Sequence, residues 1–237
     1  MSSFILKIIA VISMFCDHFG DSFIKHFSFL NLLGRMSFPI FAFQISEGYI
    51  HTKNLKKYFV RLLIFALASQ LPFYLFLQKF LPSSTSCLNI FFTLLLGLTC
   101  IKIYDIFNNL KNNFLESKVL NISLKNIVGF IIVLIIAYIG ELLHVDYGAW
   151  GIIVVFSFYL FKNNKLAMVI FYIFLCVIRY GIYIILTGFN ITYIYICIFC
   201  ILPILFISLY NGKQGYKIKY FLYFFYPVHF LMLYFLF

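Results

Sequence analysis

The chain has 237 residues, of which 64% are apolar and only 11% charged, with a formal net charge of +11 and a mean hydropathy of +1.04. A water-soluble core and shell cannot use that composition, so the solvent it is built for is lipid. In hydrocarbon every backbone amide must be satisfied within its own segment, and the apolar runs are continuous rather than alternating, which selects helices over a β-barrel. At about 20 residues per crossing, no more than about ten spans fit and no separate soluble domain remains.

In chain order, the first apolar stretch, Phe4 to Cys16, carries Lys7 inside it and lacks a small-x-small cleavage pattern, so it reads as part of a retained first span, 4–24, rather than a signal peptide. Breaks in hydropathy then place spans at 32–50, 58–80, 87–107, 124–144, 148–161, 166–187, 190–210 and 220–236. The sixth is short enough to be tilted, broken or re-entrant. The expectation is an all-α, polytopic membrane helix bundle of about nine transmembrane helices, one domain over residues 1–237, with the N-terminus in and the C-terminus out.

The orientation rests on lysine and arginine, which are retained on the cytoplasmic side near span ends. The loops after spans two, four, six and eight hold Lys53, Lys56, Lys57, Arg61, Lys102, Lys111, Lys118, Lys125, Lys162, Lys165, Lys213, Lys217 and Lys219, thirteen of the eighteen. The opposite loops hold Lys25 and Lys79, and Lys7, Arg35 and Arg179 fall within spans. Most of the positive charge is therefore topological and meets the lipid bilayer; nothing further supports nucleic-acid binding. The six cysteines have no metal-ligand spacing and read as small core residues, so no metal is expected.

An ionisable group within a span costs roughly 2.5–3.5 kcal/mol at the helix centre, which makes each one a functional-site candidate. Asp17 and His18 lie roughly 20 Å along the first span, in the outer half of the bilayer. Arg35 and Arg179 share that depth, Glu141, His144 and Asp146 mark the outer turn between spans five and six, and His229 lies near mid-depth. One polar cavity could collect them. An aspartate beside an arginine offsets its charge cost, and a histidine can take up a proton near neutral pH, supplying a general base. Asp17 and Arg35 could equally be an ion pair that only fixes packing, and His229, just after Tyr226-Pro227, could merely bond a carbonyl freed by the proline.

A second group gathers at the cytoplasmic end: Ser46-Glu47-Gly48, the basic segment 52–61 ending in Arg61, and Asn211-Gly212-Lys213-Gln214-Gly215. Glycine amides with lysine charge are how loops cradle phosphates, although the spacing matches no P-loop and a plain turn explains the glycines equally well. A polar cluster at outer depth with a basic cytoplasmic mouth suits an enzyme or a transporter.

The motifs themselves carry a resemblance. Leu6-Lys7-Ile8-Ile9-Ala10 leading to Asp17-His18, Gly34-Arg35-Met36-Ser37-Phe38-Pro39, Glu47-Gly48, Ser69-Gln70-Leu71-Pro72-Phe73, Asp146-Tyr147-Gly148, Tyr210-Asn211-Gly212-Lys213 and Tyr226-Pro227-Val228-His229 run in order over nearly the whole chain. Through them it resembles the TraX family, membrane proteins associated with N-terminal acetylation of conjugative F pilin. The resemblance implies a multi-pass acyltransferase of the bacterial plasma membrane that draws acetyl-CoA from the cytoplasm. Its acceptor is an amine or hydroxyl on a protein, lipid or glycan, with a pilin N-terminus inherited from the family, and a homo-oligomer is left open.

On that reading the donor's phosphates rest on the basic mouth, with Lys213 the first candidate and Asn211, Gly212, Glu47 and Arg61 beside it. His18, oriented by Asp17, deprotonates the acceptor, Arg35 stabilises the oxyanion or holds Asp17 ionised, and His229 is the second candidate base. Two other classes compete: a proton-coupled transporter or anion channel using Asp17, His18 and Arg35, and a structural assembly protein that tolerates loss of every intramembrane charge. The Asn- and Lys-rich connection 108–125 is not expected to carry chemistry.

Overall fold

The computed structural model describes residues 1–24, 27–85, 87–109, 118–119 and 122–237. Lys25 and Lys111 of the charge count lie outside the described residues. Helix α1 (Ser3–Phe19) begins on Ser2, whose hydroxyl accepts from Ile5 N–H, and continues into a π-turn, Gly20–Ile24. Where one span over 32–50 was expected, α2 (Phe29–Gly34) and α3 (Ser37–His51) are separated by a turn at Arg35 and Met36. Pro39 gives the reason: it has no N–H for the Arg35 carbonyl, so the helical ladder breaks there and restarts with proline in its first turn.

Next come α4 (Leu55–Phe80) and α5 (Ile90–Asn108), each started by an asparagine, Asn54 and Asn89, whose side-chain oxygen accepts a first-turn N–H. A hairpin of β1 (Lys118–Val119) and β2 (Ile122–Ser123) leads into α6 (Leu124–Leu142). After α7 (Gly148–Leu160), α8 (Lys165–Thr187) and α9 (Ile191–Ile201) are again capped by asparagines, Asn164 and Asn190. Pro203 opens α10 (Pro203–Ser208), and α11 (Lys219–Leu236) completes the bundle.

Among the described residues, six segments are long and apolar enough to cross a membrane: Ser3–Ile24, α4, α5, α6, α8 and the α9–α10 unit. The apolar helices α7 and α11 are shorter, and α2 and α3 are 6 and 15 residues long, divided by the turn at Arg35 and Met36. The short sixth segment is a continuous helix, α7, buried along Gly151, Ile152 and Val154 to Tyr159. A helix apolar on every side belongs in the middle of a bundle, and α7 packs there against α3, α5, α6 and α8. The outward faces of α4, α6 and α8 expose Leu67, Leu71, Leu134, Ile178 and Ile185, the contiguous apolar surface that lipid requires.

Contacts sort the residues to two ends. At one, Ser3 N–H donates to Lys213 O over 2.8 Å and Asn211 N–H to Met1 O over 3.0 Å, stapling the start of α1 to the α10–α11 loop. There too Tyr49 of α3 and Tyr159 of α7 donate to the Asp105 carboxylate of α5 over 2.8 and 2.9 Å. At the other end Leu88 bridges to Val145, and Lys79 Nζ donates to Tyr234 O over 2.8 Å. Lys53, Lys162, Lys165 and Lys213 share the first end.

Candidate functional site

At the end opposite the lysines, the last turn of α1 presents Asp17 and His18. Gly34 lets α2 come against Asp17: a Cβ there would stand 2.2 Å from Asp17 Cβ. That approach puts Arg35 Nη2 2.9 Å from Asp17 Oδ1, while Arg35 Nε donates to Asn31 O over 3.3 Å. Asn31, itself buried, donates through Nδ2 to Asp17 Oδ1 at 3.2 Å, Asp17 O at 3.1 Å and Asp21 Oδ1 at 2.6 Å. One amide thus joins two carboxylates, with the π-turn supplying Asp21.

His18 does not bond to Asp17, contrary to the sequence expectation. Its Nδ1 lies 2.7 Å from His229 Nε2, and His229 Nδ1 lies 2.9 Å from Phe225 O, one turn back on α11. Side chains of adjacent residues point to different faces of a helix, which is why Asp17 turns to α2 and His18 to α11. The Phe76, Phe225 and Phe230 rings enclose the imidazoles.

Two cavities meet inside the bundle. The first, about 250 Å³, is lined by Asp17, His18, Asp21, Arg35, Asp146 and Tyr147 among others. The second, about 460 Å³, lies at the lysine-rich end, with Lys7, Gln44, Glu47, His51, Lys53 and Arg61 on its wall. Met14, Phe41, Ile90 and Tyr226 line both, so the cavities abut at a waist formed by α1, α3, α5 and α11. Two buried donors on the larger cavity's wall, Gln44 Nε2 and Arg61 Nε, have no hydrogen-bond partner, and buried donors in that condition call for an explanation. The Arg61 guanidinium lies 5.4 and 5.3 Å from the Tyr58 and Tyr223 ring centroids.

Of the residues singled out in the sequence, Asp17, His18, Arg35 and Asp146 share the smaller cavity, and Glu47, Arg61 and Gly212 the larger. Glu47 stands 3.7 Å from His51, one turn along α3. Gly212, at φ 74°, takes the turn that brings the loop to the cavity rim. Asn211 Oδ1 accepts from Lys213 N–H over 3.1 Å, and the Lys213 side chain is exposed outside the lining. Its place on the wall is taken by Lys7 and Lys53.

Arg179 and Glu141 do not enter the smaller cavity. Arg179 lies over Trp150, 4.4 Å from the ring centroid, and Glu141 Oε2 accepts from Ala149 N–H over 2.8 Å at the start of α7. His144 holds the turn through its carbonyl, which accepts from Cys87 N–H at 2.8 Å. Asp146 follows in that turn, and burial pushes its carboxyl up to about 6, against the pull of Arg35 and Arg179. Sequence reasoning missed Asn31, Asp21 and Gln44. Asp21 carried the available signal: it lies four residues after Asp17, on the same helical face.

An apolar helical bundle with a buried Asp-Arg pair, a histidine pair and two abutting cavities is a membrane protein with a polar interior. The family model described as TraX protein matches residues 2–237, and the chain belongs to that family. It is also similar to the probable fimbrial assembly protein FimC, serogroup H1, of Dichelobacter nodosus, 29% identical over 250 residues that cover 98% of this chain and 94% of that protein. No solved structure matches the chain.

Proposed function

We propose that this protein is an acetyltransferase of the bacterial plasma membrane that spans the bilayer nine times, N-terminus in and C-terminus out. It moves an acetyl group from cytoplasmic acetyl-CoA to an acceptor on the other side, and it acts in pilus or fimbrial assembly. The observation that carries the reading is the meeting of a basic cavity and a histidine-bearing cavity at one waist. The lysine-rich end is the cytoplasmic one on the charge rule, so the basic cavity faces the donor. Lys7, Lys53 and Arg61 suit CoA phosphates, and the unpaired Gln44 and Arg61 donors suit its oxygen acceptors. The pantetheine arm would pass the waist and bring the thioester to His18.

An acceptor that arrives as an ammonium first gives up one proton to water; the N–H proton of the neutral amine then passes to His18 as its nitrogen bonds to the thioester carbon. The C–S bond breaks, and the CoA thiolate takes the proton back from His18. Arg35 gives Nη2 to Asp17 and Nε to Asn31, which leaves Nη1 for the developing oxyanion. Asp17, Asp21 and Asp146 face that space with Arg35 as their cationic neighbour. This balance favours a cationic amine, in keeping with an acceptor such as a pilin N-terminus, over a phosphate-bearing lipid.

The test is purified protein in lipid with acetyl-CoA, measuring CoA release and acetyl transfer to an amine-terminated peptide, for wild type and a folded His18→Ala variant. Turnover in wild type that His18→Ala lacks upholds the proposal. Well-folded wild type that carries labelled anion across vesicles and yields no acetylated product overturns it in favour of a transporter.

A further inference from the structure

The two histidines stand in a chain of hydrogen bonds that determines where each proton sits. The Phe225 carbonyl can only accept, so His229 Nδ1, 2.9 Å away, carries hydrogen. In a neutral ring that leaves His229 Nε2 bare. His18 Nδ1 lies 2.7 Å from this bare nitrogen and must therefore be the N–H donor, which puts the His18 lone pair on Nε2.

The rings differ in access. His229 is 1% exposed and lines neither cavity. His18 is half-buried on the wall of the smaller cavity, and its Nε2 has no hydrogen-bond partner among the described residues. A neutral imidazole in water prefers the opposite tautomer, with hydrogen on Nε2. Left to itself, His18 would turn its lone pair toward α11 and present an N–H to the cavity.

We infer that His229 is a positioning residue: it locks His18 in the Nδ1–H tautomer and so presents the Nε2 lone pair to the cavity. His229 and His18 are then successive members of one relay rather than alternative bases. When Nε2 takes the acceptor's proton, His18 becomes an imidazolium whose Nδ1–H still points at His229 Nε2. The charge is shared along that hydrogen bond until Nε2 returns the proton to the thiolate, and His229 finishes unchanged. The catalytic half of this inference rests on the acetyltransferase reading above; the tautomer half does not.

The experiment is ¹⁵N NMR of histidine-labelled protein in lipid nanodiscs, with His18 assigned by its loss in His18→Gln. The expected result is a protonated Nδ1 and a bare Nε2 on His18, with a through-hydrogen-bond N–N coupling to His229. In His229→Phe, which keeps an aromatic ring in the packing, the coupling should vanish and His18 should pass to the Nε2–H form. Acetyl transfer should then fall at least ~10-fold in kcat, with KM for acetyl-CoA unchanged. His229→Gln offers an amide oxygen to His18 Nδ1–H and should restore both the tautomer and most of the rate. Wild-type His18 in the Nε2–H form, or a tautomer indifferent to His229→Phe, would overturn the inference. The expected tautomers without any turnover would uphold the assignment and overturn the acetyltransferase reading instead.

Discussion

Replacing Asp17 by Asn, Arg35 by Met, and both together measures what the intramembrane ion pair does. Removing one partner of a buried pair costs about 3–5 kcal/mol, whereas removing both is often close to neutral, because the loss comes from leaving a charge uncompensated. Here the Arg35 side chain is 29% exposed and Asp17 10%, so cavity water screens part of the cost. About 3 kcal/mol for either single variant is the consistent figure. The double variant keeps Asn31 bonded at position 17 and loses no more than either single, which gives a coupling energy of at least about 3 kcal/mol instead of additivity at about 6. Trp150, the only tryptophan, reports reversible unfolding in mixed detergent micelles. Additive losses would refute the reasoning, since they would mean that neither charge depends on the other. The same three proteins separate packing from chemistry: a stable double variant that still transfers acetyl would confine the pair to structure, and an equally stable but inactive one would place Arg35 on the reacting carbonyl.

Gly34→Ala puts a methyl 2.2 and 2.3 Å from Asp17 Cβ and Cγ, so it should destabilise by about 1–3 kcal/mol and disturb the ion pair; an unchanged unfolding midpoint would contradict the close approach of α2. Met14→Trp, at the waist shared by the cavities, should block acetyl transfer while binding of radiolabelled CoA persists. Transfer at the wild-type rate would exclude passage through the waist. For Asp146, a folded-state value of about 6 lies above the ordinary carboxyl value near 3.9, so folding takes up a proton between the two. Its protonated form favours the folded state, so stability should fall as pH rises from about 4 to about 6, by roughly 2–3 kcal/mol at 1.36 kcal/mol per unit, and level off above. Asp146→Asn should flatten that slope in a chemical-denaturation series.

How far the site could be read from sequence depends on the kind of signal each residue gives. Asp17 and Arg35 stand out because charge in an apolar run is costly and rare. Asn31 does the joining work between Asp17 and Asp21 yet is neutral, and a buried asparagine just ahead of a span looks the same as a turn residue. The split between α2 and α3 was legible at Pro39, but a hydropathy window averages over the missing N–H. Lys213 drew attention by its loop, whereas the wall of the basic cavity is set by which face of α1 and α4 turns inward, and that face presents Lys7 and Arg61.

The histidines show the sharper limit. They lie 211 positions apart, so sequence could only count them as rival bases. One hydrogen bond between them, anchored by a carbonyl that can only accept, changes the question from which histidine acts to which nitrogen is bare. A second consequence follows for Asp17. With His18 held by α11, the aspartate is free of the orienting role that a triad would give it, and its partners Asn31 and Arg35 belong to α2 and its end. Asp17 therefore positions the cationic side of the cavity and His229 the basic side, and the two adjacent residues of α1 divide the site between α2 and α11.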